Sequence, residues 1–249
     1  MVEWKYDKAR DLALPAVDRY RSPLREGGLM ESMARTIWWS SLRFSFTCLH
    51  RLSYHGREHL PARPPFVVVA NHQSHLDALV IGAGIPLRFR DQLFPLAAGD
   101  VFFETLPLAA FSAIAMNALP VWRKKGGRHG LKALRERVLQ DEGLFILFPE
   151  GTRSRTGELG AFRPGIGMLV AETDVPIVPC WIEGTFRAFP PQHYFPRPTK
   201  ISVRFGKPFD CSQIVNRRKG WEQIAEQAAT AVQALADSPG APQPTASPR

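Results

Sequence analysis

The segment Asn71-His-Gln-Ser-His-Leu-Asp77 sets two histidines, an asparagine, a serine and an aspartate between two apolar runs. These residue types suit general-base chemistry. An imidazole whose one nitrogen is held by a carboxylate keeps a defined tautomer, and its other nitrogen can take a proton from a hydroxyl. The carboxylate also stabilises the imidazolium that forms, as in a serine protease triad but without the serine. A base of this kind activates a substrate hydroxyl directly. On a regular helix, residues five apart point about 140° away from each other, so His72 and Asp77 can meet only if His72 lies before the helix. Ser74 is a suitable N-cap, and Ser74-x-x-Asp77 resembles a capping box with an acidic N3 residue. The pattern predicts a helix from Ser74 to about Ala83, with His72 upstream in the turn. His75 is less able to fold back onto Asp77. The competing reading is structural: Asp77 gains ~0.3–1 kcal/mol from the helix macrodipole, and both histidines are ordinary turn residues.

A second polar cluster, Phe148-Pro-Glu-Gly-Thr-Arg-Ser154, follows another apolar run. A Pro-x-Gly turn with open backbone N–H groups, two hydroxyls and an arginine suits an anionic group. Arg153 can grip a phosphate bidentately, which a lysine cannot. Glu150 opposes anion binding and fits better as an acceptor that orients the turn or a substrate hydroxyl. The alternative is a surface turn with one salt bridge.

Both clusters need strands to place them. Phe66–Ala70 is a short β-branched run, as expected of a buried strand. Leu93–Ala98, Pro120–Trp122, Leu144–Phe148, Pro176–Ile182 and Ile201–Phe205 are further strand candidates. Leu131, Leu134, Val138 and Leu139 mark one amphipathic helix; Ile166–Glu172 and Gly220–Ala236 suggest two more. Met30–Tyr54 reads as one or two helices, apolar and aromatic on one side with Arg35, Arg43 and Arg51 interspersed, a composition suited to a membrane interface. The apolar stretch Val101–Leu119 could line a cavity or form core helix. Strands alternating with helices predict an α/β fold: a single domain with a mixed, partly parallel sheet flanked by helices, preceded by the amphipathic N-terminal segment. The expected boundaries are 1–54, 55–237 and a disordered Pro/Ser/Ala-rich tail, 238–249.

The NHx4D and FPEGTRS motifs, each after a strand, together resemble the glycerolipid acyltransferase family, of the lysophosphatidate acyltransferase type, over roughly residues 55–208. "LPVWRKKGG" stands where that family has a substrate-binding arginine, here Arg123, and "VPIVPCWIEG" resembles its proline-containing block. The resemblance implies that His72 is the general base and Asp77 its partner. The base would act on a hydroxyl of a lysophospholipid, 1-acyl-glycerol-3-phosphate giving phosphatidate, which attacks the thioester of acyl-CoA or acyl-carrier protein. It further implies that Arg123, Arg153 and the Glu150–Gly151–Thr152 turn position the acceptor's phosphate, and that Pro179 helps shape the acyl side. No metal or redox cofactor is implied. Two departures stand out: Asp100 where relatives commonly carry a lysine, and an altered approach to Arg123, whose role Lys124 and Lys125 could share.

Composition is compatible with this reading. The chain of 249 residues carries a formal net charge of +9, which favours anionic partners such as phospholipid surfaces, phosphorylated substrates or acidic carriers. Cys48, Cys180 and Cys211 form no CxxC pair or zinc spacing, consistent with free thiols in a reducing compartment. The charged start argues against a signal peptide, and no uncharged apolar window reaches the roughly 18 residues of a spanning helix. The expected location is the cytoplasmic face of a membrane, peripheral or monotopic. A hydrolase using the same His–Asp pair remains an alternative, as does a non-enzymatic basic membrane-binding protein. No GxSxG elbow is present, and no recognition motif for nucleic acid accompanies the basic runs.

Overall fold

Phe66-Val-Val-Val-Ala70 forms a strand whose five residues are all buried. A strand shielded on both faces belongs to a parallel sheet with helices on either side. The computed structural model describes residues 11, 13–23, 25–122, 127–141, 143–190, 193 and 195–238. In chain order its elements are α1 (Ala16–Arg19), α2 (Leu29–His50), β1 (Ser53–His55), β2 (Phe66–Ala70), α3 (Asp77–Gly84), β3 (Leu93–Ala98), α4 (Gly99–Phe102), α5 (Leu106–Ile114), β4 (Leu119–Val121), α6 (Gly127–Gln140), β5 (Leu144–Leu147), α7 (Gly165–Val170), β6 (Ile177–Glu183), α8 (Thr185–Ala188), β7 (Ser202–Phe205) and α9 (Arg218–Ala236). One sheet runs β1-β7-β6-β2-β5-β3-β4. Strands β6, β2, β5, β3 and β4 are mutually parallel; β7 is antiparallel to β6, and β1 parallel to β7. The sheet is therefore mixed, as the alternating pattern predicts.

Alternation along the strands divides the core. Val68, Ala70, Ile146 and Val178 pack with Trp39 and Phe46 of α2 and Val80 and Ile81 of α3. Val67, Val69, Phe145 and Ile177 pack with Leu134 of α6, Leu169 of α7 and Ile224 and Val232 of α9. The chain leaving β2 enters α3 on the first face, whereas the chain leaving its neighbour β5 enters α7 on the second. Loops that diverge from adjacent strand ends leave a crevice between them, the usual ligand position in open α/β sheets.

Three element boundaries differ from the sequence expectation. The helix predicted to reach Tyr54 stops at His50, because Arg51 turns left-handed (φ 44°) and the Leu52 N–H returns to the Phe46 carbonyl. Ser53 and Tyr54 then pair with Ser202 and Val203 as an edge strand. The stretch 101–119 is broken into α4, α5 and the start of β4. The third is the late start of α3, described below with the site. Pro120–Trp122, Leu144–Phe148, Pro176–Ile182 and Ile201–Phe205 shift by a residue at one or both ends.

Helix α2 is unusual in what it shows to solvent. It buries Arg35, Trp39, Phe46 and His50, while Met30, Met33, Ile37 and Phe44 are exposed. At 100° per residue these four fall on one stripe. Phe111 of α5, also exposed, meets Trp38 edge-on at 5.0 Å and extends the apolar surface. No helix among the described residues is long and apolar enough to cross a membrane. Trp39 anchors α2 to α3 by lying directly on Gly82, where a Cβ would collide with the indole. Gly82→Ala should therefore destabilise the fold by about 1–3 kcal/mol through overpacking, measured as a lowered urea midpoint with unchanged m-value.

Candidate active site

The turn leaving β2 brings His72 and Asp77 together. His72 Nδ1 lies 2.9 Å from Asp77 Oδ2, with the imidazole partly exposed and the carboxylate wholly buried. The same Oδ2 accepts the backbone N–H groups of Gln73 (2.6 Å) and Ser74 (2.7 Å). Three donors on one oxygen fix both the turn and the ring. With Nδ1–H directed at Asp77, Nε2 is the nitrogen left to accept a proton. Phe148 stacks on the imidazole at 4.2 Å and 17°, setting its plane from the other side.

This turn also explains the late start of α3. The predicted helix begins at Ser74, but α3 starts at Asp77 with Leu76 as N-cap. Only half of a capping box forms. Asp77 accepts the Ser74 N–H, whereas Ser74 Oγ donates to the Phe189 carbonyl and accepts the Leu76 N–H. Drawing the Asp77 carboxylate back over residues 72–74 holds those residues in a tight turn instead of a helical one.

Asn71, which the sequence reading passes over, is buried and extends the β2–β6 ladder with its side chain. Its Nδ2 donates to the Ile182 carbonyl at 2.9 Å, and its Oδ1 accepts the Ile182 N–H at 2.7 Å. The amide mimics one more peptide pair at the strand end, where the main chain is already turning away. The signal in the sequence was only a polar residue directly after a strand and directly before the histidine.

The Phe148–Ser154 loop arrives from β5 and clasps the same turn. The His72 N–H donates to Glu150 Oε1 at 2.7 Å, and the Ser154 N–H donates to the His72 carbonyl at 2.7 Å. Glu150 Oε2 accepts the Gly160 N–H at 3.0 Å. Glu150, expected to orient the turn or a substrate hydroxyl, has both oxygens on backbone donors and holds the turn. Burial raises its pKa above the ordinary carboxylate range, partly offset by those two N–H donors. Gly151 has φ +73°, and a Cβ there would press on the Arg163 guanidinium, so glycine is required on both counts. Thr152 is exposed and Arg153 half-buried. Both line a polar cavity of about 340 Å³ with Glu150, Ser154 and Thr156. His75, its ring edge-on to Phe102, has a lowered pKa, first through burial and then through the charges of Arg153 and His72.

Arg123, with Lys124 and Lys125, lies outside the described residues, as does the tail from 239. Pro179 is buried inside β6, opposite Val69 and beside Gly206 and next to Leu235 of α9. Among the described residues, no cluster of His, Cys, Asp or Glu could hold a metal ion.

A family model described as Acyltransferase matches residues 51–183. The chain belongs to the acyltransferase family. That match ends at the last residue of β6 and so contains the β2, β5 and β6 ends that build the site. Among curated relatives, a chloroplastic 1-acyl-sn-glycerol-3-phosphate acyltransferase, BAT2, of Brassica napus is 31% identical over 61% of this chain and 42% of its own length. The human 1-acyl-sn-glycerol-3-phosphate acyltransferase alpha is 32% identical over 52% and 44%. The chain thus spans less than half the length of these relatives. The crystal structure of the 1-acyl-sn-glycerophosphate (LPA) acyltransferase PlsC from Thermotoga maritima superposes with a TM-score of 0.66 at 22% identity, over 83% of this chain and 80% of that one. At that identity the likeness carries the fold alone.

The clasp has a measurable consequence in this acyltransferase. A carboxyl whose native pKa is raised holds its proton longer in the folded state than in the unfolded one. Stability therefore falls as pH rises from the ordinary Glu value through the raised one. Glu150→Gln should remove that decline. It should also cost about 1–3 kcal/mol, because one backbone N–H loses its acceptor. Chemical denaturation of both proteins across the acidic pH range checks both effects.

Proposed function

We propose that this acyltransferase moves a fatty acyl group from acyl-CoA or acyl-carrier protein to the free hydroxyl of a lysophospholipid, with 1-acyl-glycerol-3-phosphate as acceptor and phosphatidate as product. The observation that carries the reading is the His72 imidazole, held at Nδ1 by buried Asp77 and leaving Nε2 free in the crevice between β2 and β5. The names of the relatives supply the acceptor class. Nε2 takes the hydroxyl proton as the acceptor oxygen attacks the thioester carbonyl. Asp77 stabilises the imidazolium. As the tetrahedral intermediate collapses, the C–S bond breaks and the imidazolium protonates the departing thiolate. Acyl transfer of this kind forms no covalent enzyme intermediate and needs no metal or redox cofactor. Arg153, with Arg123, holds the acceptor phosphate, while Glu150 keeps the loop and the base in register.

The same reading places the protein peripherally on the cytoplasmic face of a membrane, where its lipid substrate lies. The exposed α2 stripe supports this, because apolar side chains of an interfacial helix enter the lipid while basic charge favours anionic headgroups. Phe44→Glu and Ile37→Glu change side chains that are 72% and 67% exposed, so the fold should survive. The double variant should lose cosedimentation with phosphatidylglycerol vesicles; undiminished binding would count against the membrane surface.

His72→Ala should lower acyl transfer by about 10²–10⁴-fold in a protein that still folds, at a stability cost of about 1–3 kcal/mol from the lost bond to buried Asp77. Near-wild-type turnover in the folded variant would sink the mechanism. Asp77→Asn should be comparably severe but less stable, because the buried oxygen holds three donors. Arg153→Ala should raise the acceptor KM about tenfold or more and change kcat less. The assay pairs acyl-CoA and acyl-carrier-protein donors with lysophosphatidate, and thioester consumed equally fast without lysolipid would mark a hydrolase instead.

A further inference from the structure

A second cavity, of about 590 Å³, lies at the opposite end of the sheet. Asp91 precedes β3, Asn117 precedes β4 and Asp141 precedes β5, so it opens at the amino ends of the parallel strands. The six residues of β3 separate this end from the His72 end by about 20 Å. Three arginines, Arg25, Arg35 and Arg137, line it, and all three are buried.

Three carboxylates, Glu26, Asp91 and Asp141, line the cavity with them, but not every guanidinium donor is met. Asp91 is shared by Arg35 Nε (2.8 Å), Ser32 Oγ (2.7 Å) and Arg90 (3.4 Å). Asp141 faces Arg137 Nε at 2.8 Å. Arg25 donates to neutral acceptors, Asn117 Oδ1 at 3.0 Å and the carbonyls of Ala118 and Tyr20. Glu26 sits at the exposed rim. Arg35 Nη1 is buried without a hydrogen-bond partner, an orphan donor that needs an acceptor. The pKa of Arg25 falls to about 9, first by burial and then by repulsion from Arg137 and Arg35, with Asp11 and Glu31 opposing. Burial and neighbouring like charge therefore both disfavour its cation.

Gly27 and Gly28 line it just before the first turn of the 22-residue helix α2, whose N-terminal N–H groups favour negative charge; Glu31 Oε2 already accepts the Gly28 N–H at 3.0 Å. A Cβ at Gly27 would strike the Arg35 guanidinium. Arg137 of α6 donates to the Pro23 and Arg25 carbonyls, and Arg25 donates to the Ala118 carbonyl, so these guanidiniums tie Pro23 and Arg25 to α6 and to the start of β4.

We propose that this cavity is a second binding site, taking a phosphate-class oxyanion, inorganic phosphate or a soluble phosphomonoester, between Arg25, Arg35 and Arg137. A planar guanidinium matches phosphate oxygens in a bidentate fork, and the bound anion would give Arg35 Nη1 its acceptor and hold residues 25–28 and α2 against the strands.

Isothermal titration of the full chain with inorganic phosphate, and separately with glycerol 3-phosphate, at constant ionic strength tests this. Saturable binding is expected that Arg35→Gln weakens by at least about tenfold and Arg153→Ala leaves in place. Heat from inorganic phosphate alone would assign the site to the free ion, and heat from both to a phosphomonoester-tolerant pocket. Absence of saturable binding by either would overturn the proposal. So would binding lost in Arg153→Ala and kept in Arg35→Gln, which would move the anion to the other end of the sheet. Because Arg35→Gln could unfold, hydrogen exchange of the wild-type chain provides an independent readout. Added phosphate should slow exchange over residues 25–35 and 117–118; slowing confined to 150–163 would refute it.

Discussion

The 2.7 Å hydrogen bond from the His72 amide to the Glu150 carboxylate joins two turns that stand 78 residues apart in the chain. Everything at the carboxyl end of the sheet depends on it. Strands β2 and β5 are neighbours, so their ends emerge side by side, but their chains leave toward opposite faces. Without a clasp, the divergence that opens the crevice would also let the two loops drift apart. Glu150 closes it in one direction and the Ser154 N–H, on the His72 carbonyl, in the other. The base thus has its backbone fixed on both sides before any side chain is considered.

Asp77 completes the arrangement from within the β2 turn. Its Oδ2 gathers two backbone N–H groups and the imidazole, in a position wholly removed from solvent. A buried carboxylate is costly unless hydrogen-bonded; three donors on Oδ2 offset that cost and fix the histidine tautomer, while Oδ1 is buried with no hydrogen-bond partner among the described residues. The consequence is visible in α3, which forgoes a turn of helix so that residues 72–74 can fold over the carboxylate. Local helix propensity yields here to the need to satisfy a buried charge.

The two ends of the sheet carry different chemistry. At the carboxyl end, an aromatic ring stacks on the base and Arg153 lines a polar cavity with Glu150; at the amino end, three guanidiniums and three carboxylates line a cavity beneath the start of α2. Helix α2 connects these regions to the outside. It sets Trp39 and Phe46 into the core and turns Met30, Met33, Ile37 and Phe44 outward. The Arg25–Arg35–Arg137 cluster buries three cations beside three carboxylates, where charge interactions are stronger than at the surface.

Much of the fold was legible because hydrophobic period and strand length are local properties. Phe66–Ala70 and Leu93–Ala98 were readable to the residue, and the α/β class followed from alternation. The edge strand Ser53–His55 was not legible, since three half-polar residues acquire strand character only by pairing with β7. Likewise the helix start at Asp77, the ladder-extending amide of Asn71 and the interior place of Pro179 depend on partners distant in sequence. The five-residue spacing of His72 and Asp77 already required the histidine to stand outside the helix, and the residue types already implied a base and its carboxylate. Which strand ends lie together was decided by the sheet order alone. It decided which donors Glu150 meets, the residue already read as an acceptor that orients the turn. A carboxylate's role is set by the donors around it, and those donors come from a loop that only tertiary packing brings within reach.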